Sequence, residues 1–221
     1  MKAMKLESCG ILIGLRPMGE RDSIAQVFTR DFGILHGVMR GAQVARKNRP
    51  LVGQVGAVAW NARLDSQLGA FHWESNENLS APLMHDMRAL ACLNAAFALL
   101  NVLLPEREPY AQLYDSTIML LHALADDNDV MQQYLDWETD LLRESGYALD
   151  LSHCSGCGRT DNLYYLSPRT GRAVCNDCAA PYISKLYSLP ITLDTTMHFV
   201  AGACAQQGTE VPPARLYLSR M

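Results

Sequence analysis

Four cysteines are the residues of this chain whose type and spacing most directly indicate chemistry. They form two Cys-X-X-Cys pairs, Cys154 with Cys157 and Cys175 with Cys178, and the 17 residues from 158 to 174 separate the pairs. Two residues between thiolates allow one tight turn to present both sulfurs to one ion, and a second such turn completes a tetrahedron. The spacing therefore predicts a structural zinc site with these four cysteines as its ligands.

Two other uses of these cysteines are a pair of disulfides and a redox-active pair. Disulfides need an oxidising compartment, and the first five residues are not followed by the long apolar run of a secretory signal. A thioredoxin-like redox site uses one Cys-X-X-Cys at the start of a helix, not two distant ones. A degenerate loop without metal stays open as an alternative. Four thiolate ligands leave no coordination position for water, which argues against zinc catalysis.

No catalytic motif is recognisable elsewhere in the sequence. There is no G-X-X-X-X-G-K-[S/T] phosphate loop, so ATP hydrolysis is not expected, and no serine or cysteine lies in a recognisable nucleophile motif. The remaining cysteines, Cys9, Cys92 and Cys204, are scattered along the chain, and we expect them to be small buried apolar side chains. The chain is therefore expected not to be an enzyme.

The composition is that of an ordinary globular protein, but the charges are unevenly distributed. The chain has 221 residues, of which 19% are charged and 49% hydrophobic, and a net charge of −4. Residues 1–50 carry nine basic and four acidic side chains, whereas residues 81–153 carry three and twelve. A basic end and an acidic middle indicate different partners for the two halves, although the acids of the middle segment can also simply solvate helix faces.

Residues 7–79 show the pattern of short strands. Runs of apolar or alternating residues are separated by turn signals such as Asp31-Phe32-Gly33. The predicted strands are residues 10–15, 22–29, 34–39, 55–64 and 69–76. Five strands of this length predict a small closed barrel, and the oligonucleotide-binding (OB) fold is a five-stranded barrel of this kind.

From about residue 80 onward the pattern changes to helix. The most apolar stretch, residues 89–104, is too short and too interrupted by asparagine to cross a membrane, and it is predicted to be a buried helix. The predicted helices are residues 84–104, 110–125, a third that Asp129 caps and Gly146 ends, and 194–206, followed by an extended tail at 211–213. The sequence thus predicts an α+β protein, with a barrel domain over residues 1–80 and an all-α domain over residues 81–221 that carries the zinc module at about residues 152–180.

Three stretches of the chain follow, in order and spacing, the motifs of one known family. The first runs from Gly19 to Arg49 and ends in the basic loop after Arg40-Gly41-Ala42; the second runs from Leu141 to Leu151 and leads into Cys154; the third runs from Tyr164 to Cys175. With these stretches the chain resembles the RecO family of bacterial recombination-repair mediators, from about residue 5 to about residue 206.

The resemblance implies an N-terminal OB-fold and a helical domain with a zinc-binding insertion. It implies binding of single- and double-stranded DNA, annealing of complementary strands and a complex with the partner protein RecR. It also implies contact with the acidic C-terminal tail of single-strand-binding protein, so that the RecA recombinase is loaded indirectly, in the RecF pathway. Such a protein is expected in the cytoplasm, at the nucleoid, and not at a membrane.

Annealing needs no catalytic group, but it needs a surface that neutralises phosphates and leaves bases free to pair. The candidate DNA-binding residues are Arg40, Arg46, Lys47 and Arg49 in the basic loop, then Arg16 and Arg21, and Arg169 and Arg172 beside the second cysteine pair. Trp60, Phe71 and Trp73 could stack unpaired bases, but alternating strand residues of this type are more typical of a barrel core. The alternative function is that of a protein-interaction adaptor whose barrel has no direct DNA affinity.

Overall fold

The first part of the chain is a closed five-stranded barrel. The computed structural model describes residues 4–45, 49–62, 68–126, 129–147 and 149–221. The strands are β1 (Met4–Met18), β2 (Asp22–Thr29), β3 (Gly33–Met39), β4 (Gln54–Ala62) and β5 (Gly69–Asn78). Their order around the barrel is β1-β2-β3-β5-β4, and β4 pairs again with β1; every pair is antiparallel except β3 with β5. The predicted OB-fold barrel is confirmed.

Strand β1 is longer than predicted because its two halves pair with different neighbours. Residues 4–11 pair with β4 and residues 10–18 pair with β2, and the register shifts between Leu12 and Gly14. A bulge of this kind bends a strand and increases its twist. One continuous strand therefore belongs to both sides of the barrel, whereas the apolar pattern indicated only its central part.

The interior of the barrel is built around Trp60. Trp60 and Phe71 are 0% and 8% exposed, and the indole N–H of Trp60 donates a hydrogen bond to the carbonyl oxygen of His36 at 2.9 Å. Gly69 lies so close that a Cβ atom there would stand 2.1 Å from the indole ring. Trp60 and Phe71 are therefore core residues and not base-stacking platforms; Trp73 is half-buried against the same core.

The second part of the chain is mainly helical and contains a small three-stranded sheet. Its elements are a 3-10 helix (Pro82–His85), α1 (Met87–Leu103), α2 (Ala111–Ala125), α3 (Val130–Glu144), β6 (Leu163–Leu166), β7 (Ala173–Cys175), α4 (Asn176–Ala179), a second 3-10 helix (Ala180–Lys185), β8 (Tyr187–Ser188), α5 (Leu193–Gln206) and α6 (Pro213–Leu218). The side chain of Asp129 caps α3 as predicted. Within the described ranges, no helix has both the length and the apolar character needed to span a bilayer.

The barrel and the helices share one apolar core. Ile11, Phe28 and Ile34 of the barrel belong to the same buried cluster as most apolar residues of α1, which confirms the predicted buried helix. At this junction Gly33 has a φ of +65°, and a Cβ atom on it would lie 1.9 Å from the carbonyl oxygen of Glu108. The division of the chain into domains at residue 80 stays a prediction.

The C-terminal segment contains a helix that the sequence analysis did not predict, which begins at the last residue of the predicted extended stretch 211–213. Residues Pro213–Leu218 form α6, which begins at a proline, a residue whose fixed φ suits the first helical position. Arg215 is fully buried and forms a bidentate pair with Glu138 of α3, with Nη2 2.9 Å from Oε2. The same guanidinium donates to the carbonyl oxygen of Leu193 and to the hydroxyl of Thr196, both at 3.0 Å. The sequence pattern missed this helix because a six-residue helix shows little periodicity and depends on its tertiary partners.

We expect the substitution Gly33→Ala to lower the free energy of unfolding more than Gly19→Ala does. Both glycines have a positive φ, +65° and +66°, but nothing lies within 4 Å of a Cβ atom at Gly19. The shared backbone strain cancels, so the difference, about 1–3 kcal/mol, measures the forced displacement of the backbone at Glu108. Urea denaturation of the two variants measures it, and equal losses would contradict the tight junction.

We also expect Arg215→Met to destabilise the chain by about 3–5 kcal/mol, because it leaves the buried Glu138 carboxylate without its cation. The double variant Arg215→Met/Glu138→Gln should recover part of this loss, since no unpaired charge remains. The control is Arg143→Met, which breaks an exposed pair with Asp140 and should cost less than about 1 kcal/mol. Equal losses for Arg215→Met and Arg143→Met in denaturation experiments would refute the role of the buried pair.

Candidate metal centre and nucleic-acid surface

The four predicted cysteines converge on one point of the fold. The sulfur atoms of Cys154, Cys157, Cys175 and Cys178 all lie within 4.8 Å of one another. The sulfurs of Cys157 and Cys175 are 3.7 Å apart, compared with about 3.8 Å between two sulfurs of a tetrahedral site whose zinc–sulfur bonds are about 2.3 Å. Cys154 and Cys175 are buried, and Cys157 is exposed. The size of the cluster therefore fits one metal ion.

A tight turn and the start of a helix present the two cysteine pairs. In the first pair, the N–H of Gly158 donates to the carbonyl oxygen of Cys154 at 2.9 Å, and Gly158 has a φ of +78° that suits glycine. In the second pair, Cys175 ends β7 and Cys178 lies in α4. The two pairs touch at Gly156, where a Cβ atom would lie 3.0 Å from the sulfur of Cys178.

Backbone N–H groups favour the thiolate form of Cys154. Burial by itself raises its pKa, but the N–H groups of Cys175, Cys157 and Gly156 outweigh burial and lower the pKa of Cys154 to about 6. The neighbouring thiols of Cys175 and Cys157 raise the pKa of Cys178. Four cysteine sulfurs, one of which already accepts backbone N–H groups as a thiolate would, form a donor set that zinc and other soft metal ions prefer, so the chemistry of the cluster also fits a metal.

An ion pair at the surface joins the two cysteine pairs. Arg159, directly after the first pair, has its Nη1 atom 2.9 Å from Oδ2 of Asp177, which lies inside the second pair. Asp161 is a second, longer partner of the same guanidinium at 3.8 Å. Both acids are exposed, so the ion pairs contribute little stability. They do, however, offset the negative charges of Asp161 and Asp177 with the positive charge of Arg159.

Three of the predicted DNA-binding residues gather at one end of the barrel. Arg16 lies near the end of β1, Arg21 in the turn between β1 and β2, and Arg40 directly after β3. The loop after β3 folds back on that turn, because the N–H of Gln43 donates to the carbonyl oxygen of Arg21 at 3.0 Å. All three arginines are exposed. Among the residues that the structure describes, none of the three forms an ion pair with an acid, so no acidic side chain neutralises their positive charge.

The rest of the predicted basic loop is only partly described. Arg46 and Lys47 lie outside the described residues. Arg49 is exposed and precedes β4, where its carbonyl oxygen is 3.4 Å from the side-chain nitrogen of Gln54. The structure thus places Arg40 and Arg49 at the two ends of one loop.

The two predicted arginines of the cysteine module have different surroundings. Arg172 is exposed, and a β-bridge between the backbones of Arg172 and Asp150 brings the two residues side by side. The pKa of Asp150 is lowered by hydrogen bonds from Ser152 and, to a smaller extent, by His153 and Arg172, so the charge of Arg172 is partly offset. Arg169 is exposed in the turn between β6 and β7 and lines a cavity with Tyr182 and Lys185. Tyr182 and Lys185 belong to no sequence motif, so the sequence analysis did not identify them as candidates.

Comparison with known proteins assigns the chain to a family. A family model described as Recombination protein O N terminal matches residues 1–74, and one described as Recombination protein O C terminal matches residues 84–196. The chain belongs to the recombination protein O (RecO) family. The resemblance inferred from the sequence motifs is therefore confirmed.

Several proteins named DNA repair protein RecO are similar to the chain over most of its length. The protein from Dinoroseobacter shibae is 41% identical over 184 residues, which cover 82% of this chain and 76% of that protein. A protein from Cereibacter sphaeroides is 38% identical, with 95% of this chain and 94% of that protein covered. The protein from Rhodospirillum centenum is 41% identical over 81% of this chain and 73% of its own length. The similarity thus includes both the barrel and the helical part.

One prediction about the cysteines of this RecO-family chain is wrong. Cys92 and Cys204 are buried as expected, but Cys9 is exposed. The alternation of a strand explains the difference, because side chains on β1 point alternately inward and outward, and Leu6 and Ser8 occupy the less exposed side. Burial raises the pKa of Cys92 to about 12, which makes that thiol unreactive near neutral pH.

We expect alkylation of the folded, zinc-supplemented chain to modify Cys9 first, because its thiol is exposed while Cys92 and Cys204 are buried and a bound metal protects the other four. After a chelator removes the metal, the four cluster thiols should react as well, which mass spectrometry counts as a rise from one fast site to five. The variant Cys9→Ser should show no fast site before chelation. Rapid labelling of the cluster in the zinc-supplemented protein would contradict metal binding there.

Proposed function

We propose that this chain is a non-enzymatic, DNA-binding mediator of recombinational DNA repair. In this role it binds single- and double-stranded DNA, anneals complementary strands and helps to load RecA onto single-stranded DNA coated with single-strand-binding protein. The observation that carries the proposal is membership of the RecO family over both the barrel and the helical part, together with relatives named DNA repair protein RecO.

The proposed primary DNA surface is the arginine end of the barrel, which comprises Arg16, Arg21 and Arg40. OB-folds bind oligonucleotides on the face of strands 2 and 3 and with the loops between strands 1 and 2 and strands 4 and 5. Arg21 lies in the first of these loops, and Arg40 directly follows β3. Exposed cations without acidic partners neutralise phosphates and release counterions on binding. Arg46, Lys47 and Arg49 would extend this surface along the loop that Arg40 begins.

We assign the four-cysteine cluster to a structural zinc ion. Cys154, Cys157, Cys175 and Cys178 would hold it, and its chemistry when bound is that of a closed tetrahedral brace without an open position. The chain's own residues support this role, since the N–H groups of Gly156 and Cys175 each lie 3.3 Å from the sulfur of Cys154. The cluster joins the turn after residue 153 to α4, so it would stabilise a module whose own apolar core is small.

The partners of the proposed mediator are RecR and the acidic C-terminal tail of single-strand-binding protein, and its proposed location is the cytoplasm, at the nucleoid. The proposed domains are the barrel over residues 1–80 and the helical part over residues 81–221, with the zinc module at about residues 152–180. These assignments follow from the family resemblance and not from a contact between named residues.

We expect replacement of Arg16, Arg21 and Arg40 by glutamine to weaken binding of single-stranded DNA and to reduce its salt dependence. For single strands the slope of log affinity against log salt is about −0.7 per phosphate contact, so three lost contacts reduce its magnitude by about 2. Fluorescence anisotropy with a labelled oligonucleotide at several salt concentrations measures both effects. Annealing of strands coated with single-strand-binding protein should slow in the same variant.

The matched control replaces Arg88, Arg143 and Arg220, three exposed arginines of the helical part, by glutamine. It removes the same charge but should leave the salt slope unchanged. Equal weakening by both triple variants would mean that only net charge matters and would refute the assigned surface. If the wild-type chain ignored DNA even at low salt but still captured RecR, the adaptor function would replace the proposed one.

A further inference from the structure

A second basic surface lies on the cysteine module, far along the chain from the barrel arginines. A cavity of 610 Å³, which we name the module groove, is lined by Arg169, Val174, Cys178, Tyr182, Lys185 and Leu186, with the turn around Pro168 and the first cysteine pair. Its volume lies within the range of about 300–1,000 Å³ that is typical of sites for small organic ligands. The groove is therefore large enough for one nucleotide unit.

The charge of the module groove is positive. None of its lining residues is an aspartate or a glutamate. Arg169 and Lys185 are both exposed, and neither forms an ion pair within the described part of the chain. The nearby acids Asp161 and Asp177 are paired with Arg159 instead. A ligand of the groove is thus expected to be an anion.

Tyr182 gives the groove an exposed aromatic ring. It lies in the 3-10 helix Ala180–Lys185 and is 58% exposed, although it is one of the large side chains of the module. No side chain of the described residues stacks on its ring or bonds to its hydroxyl group. Aromatic rings presented in this way beside cations are the platform on which single-stranded nucleic acids stack their bases.

The elements on both sides of the groove are held in place. The turn that carries Arg169 is closed by a hydrogen bond from the N–H of Gly171 to the carbonyl oxygen of Ser167 at 2.9 Å. The Nε2 atom of His198 in α5 lies 3.2 Å from the carbonyl oxygen of Pro168. The 3-10 helix that carries Tyr182 follows directly on α4, which contains Cys178. A preorganised site of this kind loses little conformational freedom on binding.

We propose that the module groove binds an unpaired nucleotide of single-stranded DNA, with the base on the ring of Tyr182 and the phosphate between Arg169 and Lys185. This inference rests on the proposed DNA-binding function and adds a second contact surface to it. A base inside a duplex is already stacked on both faces, so the groove selects single strands. An acidic peptide would use the two cations but would not require a flat ring.

The test uses the full chain and a labelled oligothymidylate, with fluorescence anisotropy as the readout. Tyr182→Leu keeps an apolar side chain but removes the flat ring, and it should weaken binding about 5- to 150-fold. Tyr182→Phe should bind like the wild type. Replacement of Arg169 and Lys185 by glutamine should reduce the magnitude of the salt slope by about 1.4.

The control is Tyr164→Leu, because Tyr164 lies in β6 of the same module and is 54% exposed but does not line the groove. It should leave affinity unchanged. Cysteine alkylation confirms that each variant keeps the protected cluster. An oligothymidylate that carries 5-iodouracil should cross-link to the peptide that contains Tyr182, as identified by mass spectrometry.

Two results would overturn the inference while the proposed function stands: wild-type affinity of Tyr182→Leu for the oligothymidylate, or an equal loss for single-stranded and duplex DNA. A variant that loses affinity only for an acidic peptide would make the groove a protein-binding site instead. If the wild-type chain bound no DNA, both the function and the inference would fail, so the two failures are distinguishable.

Discussion

The shared apolar core between the barrel and the helices is the constraint on which the rest of the structure depends. The side chains of Ile11, Phe28 and Ile34 in the barrel strands belong to the same buried cluster as apolar side chains of α1. The barrel and the helices therefore both contribute to this core. The contact is close enough that Gly33 has no room for a side chain beside Glu108. Gly33 begins β3 and Arg40 directly follows its last residue, so the tight junction at Glu108 and the arginine end lie at opposite ends of this strand.

The cysteine module differs from the rest of the molecule in the small size of its apolar core. Its apolar cluster has only four fully buried members, two of them cysteines, and its strands are two to four residues long. A module of this size cannot bury enough apolar surface to be rigid by itself. A metal ion held by the four sulfurs would supply the rigidity that this small core lacks. Tyr182, Lys185 and Arg169 line one groove beside the cluster.

Charge is used in opposite ways in the two halves of the molecule. In the helical part the acids do not all face solvent, since Glu138 of α3 is buried and paired with Arg215 of α6. On the barrel, Arg16, Arg21 and Arg40 are exposed, as is Arg169 on the module, and none of these four forms an ion pair with a described acid. The chain is acidic overall, yet two local surfaces are basic. Attraction of an anionic ligand depends on the local electrostatic field of such a surface more than on the net charge of the chain.

Local patterns in the sequence were sufficient for the barrel strands, the long helices, the cysteine cluster and the family, because each depends on residue spacing over a few turns or on short motifs. They also favoured a core position for Trp60, as alternation along a strand reports burial. They did not reveal α6, the outward position of Cys9, or the groove beside Tyr182. Helix α6 depends on Glu138 beside Arg215, and the groove depends on the approach of the turn at Arg169 to the helix after Cys178. The position of Cys9 was missed because the apolar pattern indicated only the central part of β1, which begins at Met4. The spacing of residues along a chain indicates the period of a helix or strand and the set of ligands for a metal. Contacts between segments that are distant in sequence form only when the tertiary structure brings those segments together.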